Sequence, residues 1–283
     1  MERAKYQSLG EQALFKKRLI IGSIFFLMLA GAGGWYYKPR PGRKPLPLIL
    51  IVGDQYNLGG ENQEDRWGYR KPLQDLLGAG KYDFVGNHRI PSGASRYDPD
   101  ISAVFYQKLN ICKLDLEKNL KTHMTNAPRG SWVIIFSGAW ESLRIGTTTK
   151  FAVSEISGMV KLIHEFDPGI GIIVPRLPPA NVTSFDRKIV RFNNLILFSL
   201  QGWWYQKGKK NLFIPDLHAL FTGIPDWKQK TMAKTVFPSP FGWRVIAETF
   251  SDIISGGKEA AYEITGHAPE EARPQYRVWE GKR

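Results

Sequence analysis

The chain has 283 residues, 43% of them hydrophobic and 13% aromatic, with 39 Lys+Arg against 26 Asp+Glu for a formal charge of +13. That composition excludes wholesale disorder, and the lone Cys112 excludes a disulfide framework or a Cys-built zinc or iron–sulfur site. The length provides for one domain plus appendages.

The charge is unevenly placed. Residues 1–45 hold nine basic and two acidic residues, the last 28 residues hold five of each, and the long middle carries only +6. A mildly basic body does not point to nucleic acid, and no nucleic-acid partner is expected. The early basic residues bracket Leu19 to Tyr37, 19 positions without a charge. As a helix they measure about 28 Å, close to the roughly 30 Å hydrocarbon core of a bilayer. Trp35, Tyr36 and Tyr37 supply an interfacial belt. Ala30-Gly31-Ala32 also resembles a signal-peptide cleavage site, but the apolar run continues past it into the aromatic belt. The expectation is therefore a basic segment over 1–18, a transmembrane helix over 19–37 that partners the lipid bilayer, and a stiff Pro/Arg/Lys linker over 38–45. Five Lys/Arg precede the span and four follow it, and the reading adopted places the short N-terminus inside and the body on the non-cytoplasmic side.

From Leu46 the pattern becomes short apolar runs separated by stretches of helical period. The runs are 46–52, 82–85, 132–136, 170–174 and 211–214. Between and after them, helices are expected over 71–77, 101–124, 150–166, 185–200 and 241–254. Strands alternating with helices predict a parallel sheet covered on both faces, with any site at the carboxyl ends of the strands. Those ends include Gly53-Asp54-Gln55, Gly86-Asn87-His88, Ser137-Gly138-Ala139-Trp140-Glu141 and Pro175-Arg176.

In chain order come Gly53-Asp54, Gly68-Tyr69-Arg70-Lys71-Pro72-Leu73, Tyr82-Asp83-Phe84-Val85-Gly86, Trp132 to Gly138, Pro178-Pro179 and Phe237-Pro238-Ser239-Pro240-Phe241-Gly242. In this order and spacing, residues 46–255 resemble the SGNH, or GDSL-like, hydrolases. The resemblance implies a flavodoxin-like three-layer α/β/α sandwich with a five-stranded parallel sheet, here preceded by one transmembrane helix. It also implies a Ser nucleophile after Gly-Asp, an Asn and backbone N–H groups for the oxyanion, and an Asp-x-x-His pair as base. In this chain the Ser position is Gln55, the oxyanion Asn position is Trp140 beside Glu141, the Asp position is Lys234 and the His position is Phe237. Gly93 matches the family's oxyanion glycine. An amide carbon accepts no acyl group and a phenyl ring takes no proton, so the expectation is no enzyme and no catalytic residue, with Asp54, Gln55, Gly93, Trp140, Glu141, Lys234 and Phe237 marking a degenerate site. Asp54 and Glu141 are the carboxylates that relocated acid–base chemistry would use; as turn and helix-start residues they equally bond backbone.

The five histidines, His88, His123, His164, His218 and His267, show no pair at metal-ligand spacing, so no metal and no cofactor are expected. Asn181-Val182-Thr183 is a glycosylation sequon, relevant on an exported eukaryotic domain. Trp203, Trp204 and Tyr205, followed by Lys207, Lys209 and Lys210, form the richest basic and aromatic cluster; its aromatics are candidates for packing on a partner protein, with the lysines at a helix carboxyl end. The tail over 256–283 is proline- and charge-rich, with Tyr276 and Trp279 suited to anchoring an extended segment on a partner. The combined expectation is a catalytically inactive, membrane-anchored structural subunit whose partners are other membrane-protein subunits, as in a photosynthetic or respiratory complex. The alternatives are a tethered binding module for an acyl or glycan ligand, or an esterase-like hydrolase with relocated groups.

Overall fold

The computed structural model describes residues 45–59, 67–89, 98, 100–103, 109–139, 141, 149–207 and 211–256, with the side chains of 55, 58, 89, 102, 103 and 202–207 excepted. The expected span over 19–37, its linker up to residue 44 and the tail from residue 257 lie outside the described residues, and among those described no helix is long and apolar enough to cross a membrane.

The centre of the domain is β1 (Leu48–Gly53), whose Ile49, Leu50, Ile51 and Val52 are buried. A strand buried on both faces needs parallel neighbours and a helix layer on each side. β5 (Trp132–Phe136) runs parallel along one side of it, followed by β6 (Gly171–Ile173) and β7 (Leu212–Phe213). Two strands share the other side. β2 (Asp83–Val85) pairs with Leu48–Leu50, and β4 (Asp100–Ala103) pairs with Val52 and Gly53. β3 (His88–Arg89) adds an antiparallel edge on β4. The five expected strands are thus present and parallel, and β3 and β4 extend the sheet to seven strands among the described residues.

Right-handed crossovers fix the layers. β2 lies on the opposite side of β1 from β5, β6 and β7, so α1 (Arg70–Leu77) falls on one face, while α2 (Leu109–Asn119), α3 (Thr149–Phe166) and α4 (Thr183–Lys207) fall on the other. α2 packs on α3 and α3 on α4, whereas α7 (Pro240–Ile254) returns to pack on α1. Ser239 starts α7 by accepting the Gly242 N–H at 3.1 Å, with Pro240 just inside, a pairing legible in the sequence.

One helix differs from expectation. The period from Ile101 to Met124 reads as a single helix, yet its first residues form β4, α2 begins at Leu109, and Leu120–Met124 closes as a π-turn. β2 covers only the first half of β1, which leaves Val52 and Gly53 with open backbone groups on that edge. Ile101 and its neighbours fill the gap as strand, and a tertiary pairing overrides local periodicity. Two short helices, α5 (Leu217–Thr222) and α6 (Trp227–Thr231), are additional to those the periodicity predicts.

Candidate functional site

β1 ends in Gly53 and Asp54 and turns at once into a 3₁₀ helix over Gln55–Leu58. The turn is held by side chains that satisfy backbone groups. Asp54 Oδ1 accepts the Tyr56 N–H at 3.1 Å and its Oδ2 accepts the Gly138 N–H at 3.1 Å, which ties β1 to the end of β5. Asn57 Nδ2 donates to Phe136 O at 2.7 Å and to Asp54 O at 3.2 Å, while its Oδ1 accepts the Tyr69 hydroxyl at 2.7 Å. Three segments therefore meet on one amide.

The last block joins through Tyr56. Its hydroxyl donates to Val236 O at 2.5 Å and its ring lies 5.6 Å from that of Phe237. The fold thus brings together the turn that starts at Gln55, the end of β5 and the strap before α7, the three places to which the sequence resemblance assigns the site. Within this arrangement Asp54 is fully buried, and burial, with a smaller push from the Glu141 carboxylate, raises its pKa to about 7. It braces backbone and has no exposed surface. Glu141 is also buried, and its Oε1 accepts the Leu109 N–H at 3.1 Å, at the start of α2. Phe237 is half-buried against Tyr56, and Lys234 is exposed, its carbonyl accepting from Asn181 Nδ2 at 3.1 Å. Gly93, Trp140, Tyr276, Trp279 and the side chains of Gln55, Trp203, Trp204 and Tyr205 lie outside the described residues.

A second group of polar side chains occupies the carboxyl ends of β6 and β7. His218 Nε2 lies 3.1 Å from Asp186 Oδ1, with side chains 22% and 27% exposed. Asp186 also accepts the Ala180 N–H at 3.0 Å. Beside them Arg176 pairs with Asp216, which caps α5 by accepting the Ala219 N–H at 3.0 Å. The stretch over 178–181 connects the two groups, because Asn181 N–H donates to Thr235 O at 2.8 Å and Asn181 Nδ2 to Lys234 O. Sequence reading finds no histidine pair at metal-ligand spacing and gives His218 no role. Its partner lies 32 residues away on another helix, and no local spacing marks such a pair. The Asp186 carboxylate fixes the proton of a neutral imidazole on Nε2, which leaves Nδ1 as a base; Nδ1 has no hydrogen bond among the described residues. The described residues contain no group of three or more His, Cys, Asp or Glu arranged to hold a metal ion.

No family model matches the chain, and no curated protein matches it in sequence. Solved structures do match. The Clostridium thermocellum family 3 carbohydrate esterase superposes with a TM-score of 0.58 at 20% identity, over 75% of this chain and 98% of that one. A carbohydrate esterase family 3 protein from Talaromyces cellulolyticus gives 0.57 at 17% identity, over 74% and 99%. A lipolytic protein of the G-D-S-L family from Veillonella parvula gives 0.51 at 12% identity, over 75% and 98%. At these identities the likeness is one of fold. It nevertheless corrects the expectation of a catalytically inactive structural subunit, and of no enzyme, because the structures that share the fold are described as esterases and a lipolytic protein. The physical reason lies in the scope of the motif argument. Gln55 and Phe237 rule out one arrangement of nucleophile and base, whereas the carboxyl edge of the sheet carries other titratable side chains that the motif positions do not include. The described domain is an α/β domain with the parallel sheet of the SGNH-like esterases.

Proposed function

We propose that the domain hydrolyses ester-linked acyl groups with water as nucleophile, His218 as general base and Asp186 as the residue that orients it. The observation that carries this reading is the 3.1 Å His218–Asp186 pair, partly open to solvent at the carboxyl edge of a parallel sheet. In the first step a water oxygen attacks the ester carbonyl carbon and its proton passes to His218 Nδ1. The C–O bond to the alcohol then breaks, the leaving oxygen takes the proton back from the imidazolium, and the acyl group departs as a carboxylic acid that ionises. Asp186 accepts from Nε2–H throughout and stabilises the transient imidazolium. The esterase names of the structures that share the fold support the reaction class. The same proposal retains Leu19 to Tyr37 as a single membrane span, on the strength of its length, its lack of charge and its aromatic belt.

The test is hydrolysis of 4-nitrophenyl acetate by the full chain in mild detergent. The wild type is expected to exceed the buffer rate, His218→Ala to lower kcat/KM by about 10²-fold, and Asp186→Asn to lower it by a smaller factor with the fold intact by circular dichroism. Wild-type activity at the buffer rate, or an unchanged rate in folded His218→Ala, would sink the reading.

A further inference from the structure

Arg70, the first residue of α1, has no solvent-exposed surface, and its Nε, Nη1 and Nη2 have no hydrogen-bond partner among the described residues. A guanidinium presents five N–H donors in a planar fork, and leaving them unpaired away from water is among the most costly arrangements a fold can hold. What surrounds it compensates only in part. The Trp67 ring lies 4.8 Å from the guanidinium carbon and offers a π face. The Asp98 carboxylate attracts it from a distance, but Asp98 Oδ2 accepts the Phe84 N–H and Oδ1 accepts the Asp100 N–H, and neither bonds Arg70. Burial outweighs that attraction and lowers the Arg70 pKa to about 10, which still leaves the side chain charged near neutrality.

The position of this cation gives it meaning. The turn that leads into it packs on the turn that leads out of β1. A Cβ on Gly68 would stand 2.9 Å from Gly59 Cα and 3.4 Å from Tyr56 O, and Tyr69 bonds Asn57 directly. Arg70 therefore sits on the segment braced against the Gln55–Leu58 turn, at the carboxyl edge of the sheet.

We propose that Arg70 binds a small carboxylate in bidentate fashion, with Trp67 as the cover that the ligand displaces. A carboxylate supplies two oxygens at the spacing of the guanidinium fork and neutralises a charge the fold leaves short of partners. The choice of a carboxylate rests on the hydrolytic reading above, since an acyl-ester hydrolase releases one. The unpaired guanidinium itself is independent of that reading.

The experiment reads binding and not turnover. The full chain in detergent is titrated with sodium acetate against sodium chloride at matched ionic strength, and its unfolding midpoint is followed alongside calorimetric binding. Acetate at about ten times its Kd is expected to raise the wild-type midpoint by about 3–6 °C, with chloride without effect. Arg70→Met is expected to lose the acetate response and, in the absence of acetate, to unfold at or above the wild-type midpoint, because an apolar side chain of similar length replaces an uncompensated charge. A wild type that responds equally to both salts, an acetate response retained in Arg70→Met, or an Arg70→Met protein that is markedly less stable or fails to fold would each overturn the proposal; the last two would make Arg70 a structural residue. Hydrolysis absent with acetate binding present would count against the catalytic reading alone.

Discussion

Gly53→Ala is expected to lower the stability of the domain by about 4 kcal/mol or more, the sum of a steric clash and a backbone strain that reinforce each other. Gly53 sits at φ +146, where side chains are rarely accommodated, and an added Cβ would stand 2.1 Å from Phe136 O and 2.5 Å from Asn57 Nδ2. Both neighbours are fixed. Phe136 O belongs to β5, and Asn57 Nδ2 is the donor that bonds it at 2.7 Å, so the methyl group cannot enter without parting β1 from β5 or breaking the amide link. For a domain of this size that corresponds to a midpoint about 8–16 °C lower. Gly80→Ala separates the two causes. Gly80 also has positive φ, +76, but nothing lies within 4 Å of its added Cβ, so only the backbone cost of about 1–2 kcal/mol remains. Urea unfolding of both variants measures the difference, and equal losses would show that strain alone matters at Gly53.

The contrast between these glycines shows what could be read from the sequence. The continuous apolar run before Gly53-Asp54 marks a buried strand and its carboxyl end, and Phe237-Pro238-Ser239-Pro240 marks a helix start; both stand where expected. Ile101 to Ala103 carry a helical period that continues that of α2, and only the half-length of β2 makes them strand. Asn57 gives no signal, and Tyr69 stands only as one letter of the Gly68–Leu73 block, with no role attached. Their importance comes from a hydrogen-bond junction among segments 12 and 79 residues apart. The functional reading erred for a similar reason. Gln55, Trp140, Lys234 and Phe237 were judged against one fixed arrangement, while the His218–Asp186 pair exists only once α4 and α5 have been placed side by side by the sheet.

Asp54 sets the second large effect, a fall in stability of about 4 kcal/mol as pH rises from about 4 to about 7. Burial lifts its pKa from 3.8 to about 7, so in this interval the folded chain holds a proton that the unfolded chain has released. Stability from this group is therefore fully present below about pH 4, is lost as pH rises, and is level above about 7. The half-buried Asp83, raised to about 7 by burial and then by Asp98, adds a smaller contribution of the same sign, reduced by solvent screening. Asp54→Asn removes the larger part of the slope. The amide retains one acceptor for Tyr56 N–H or Gly138 N–H but turns a donor toward the other, at a cost of about 1–3 kcal/mol. Compared with wild type by urea unfolding, Asp54→Asn should show a deficit at pH 5 about 3 kcal/mol larger than its deficit at pH 8, where wild type has lost the whole of the protonated-state advantage. Parallel pH profiles in the two proteins would mean that Asp54 is ionised across the whole range, held so by the three backbone N–H groups around it, from Tyr56, Gly138 and Ala139. The carboxyl end of β1 would then carry a permanent buried negative charge, and any anionic intermediate formed beside the Gln55 turn would have to be stabilised against it.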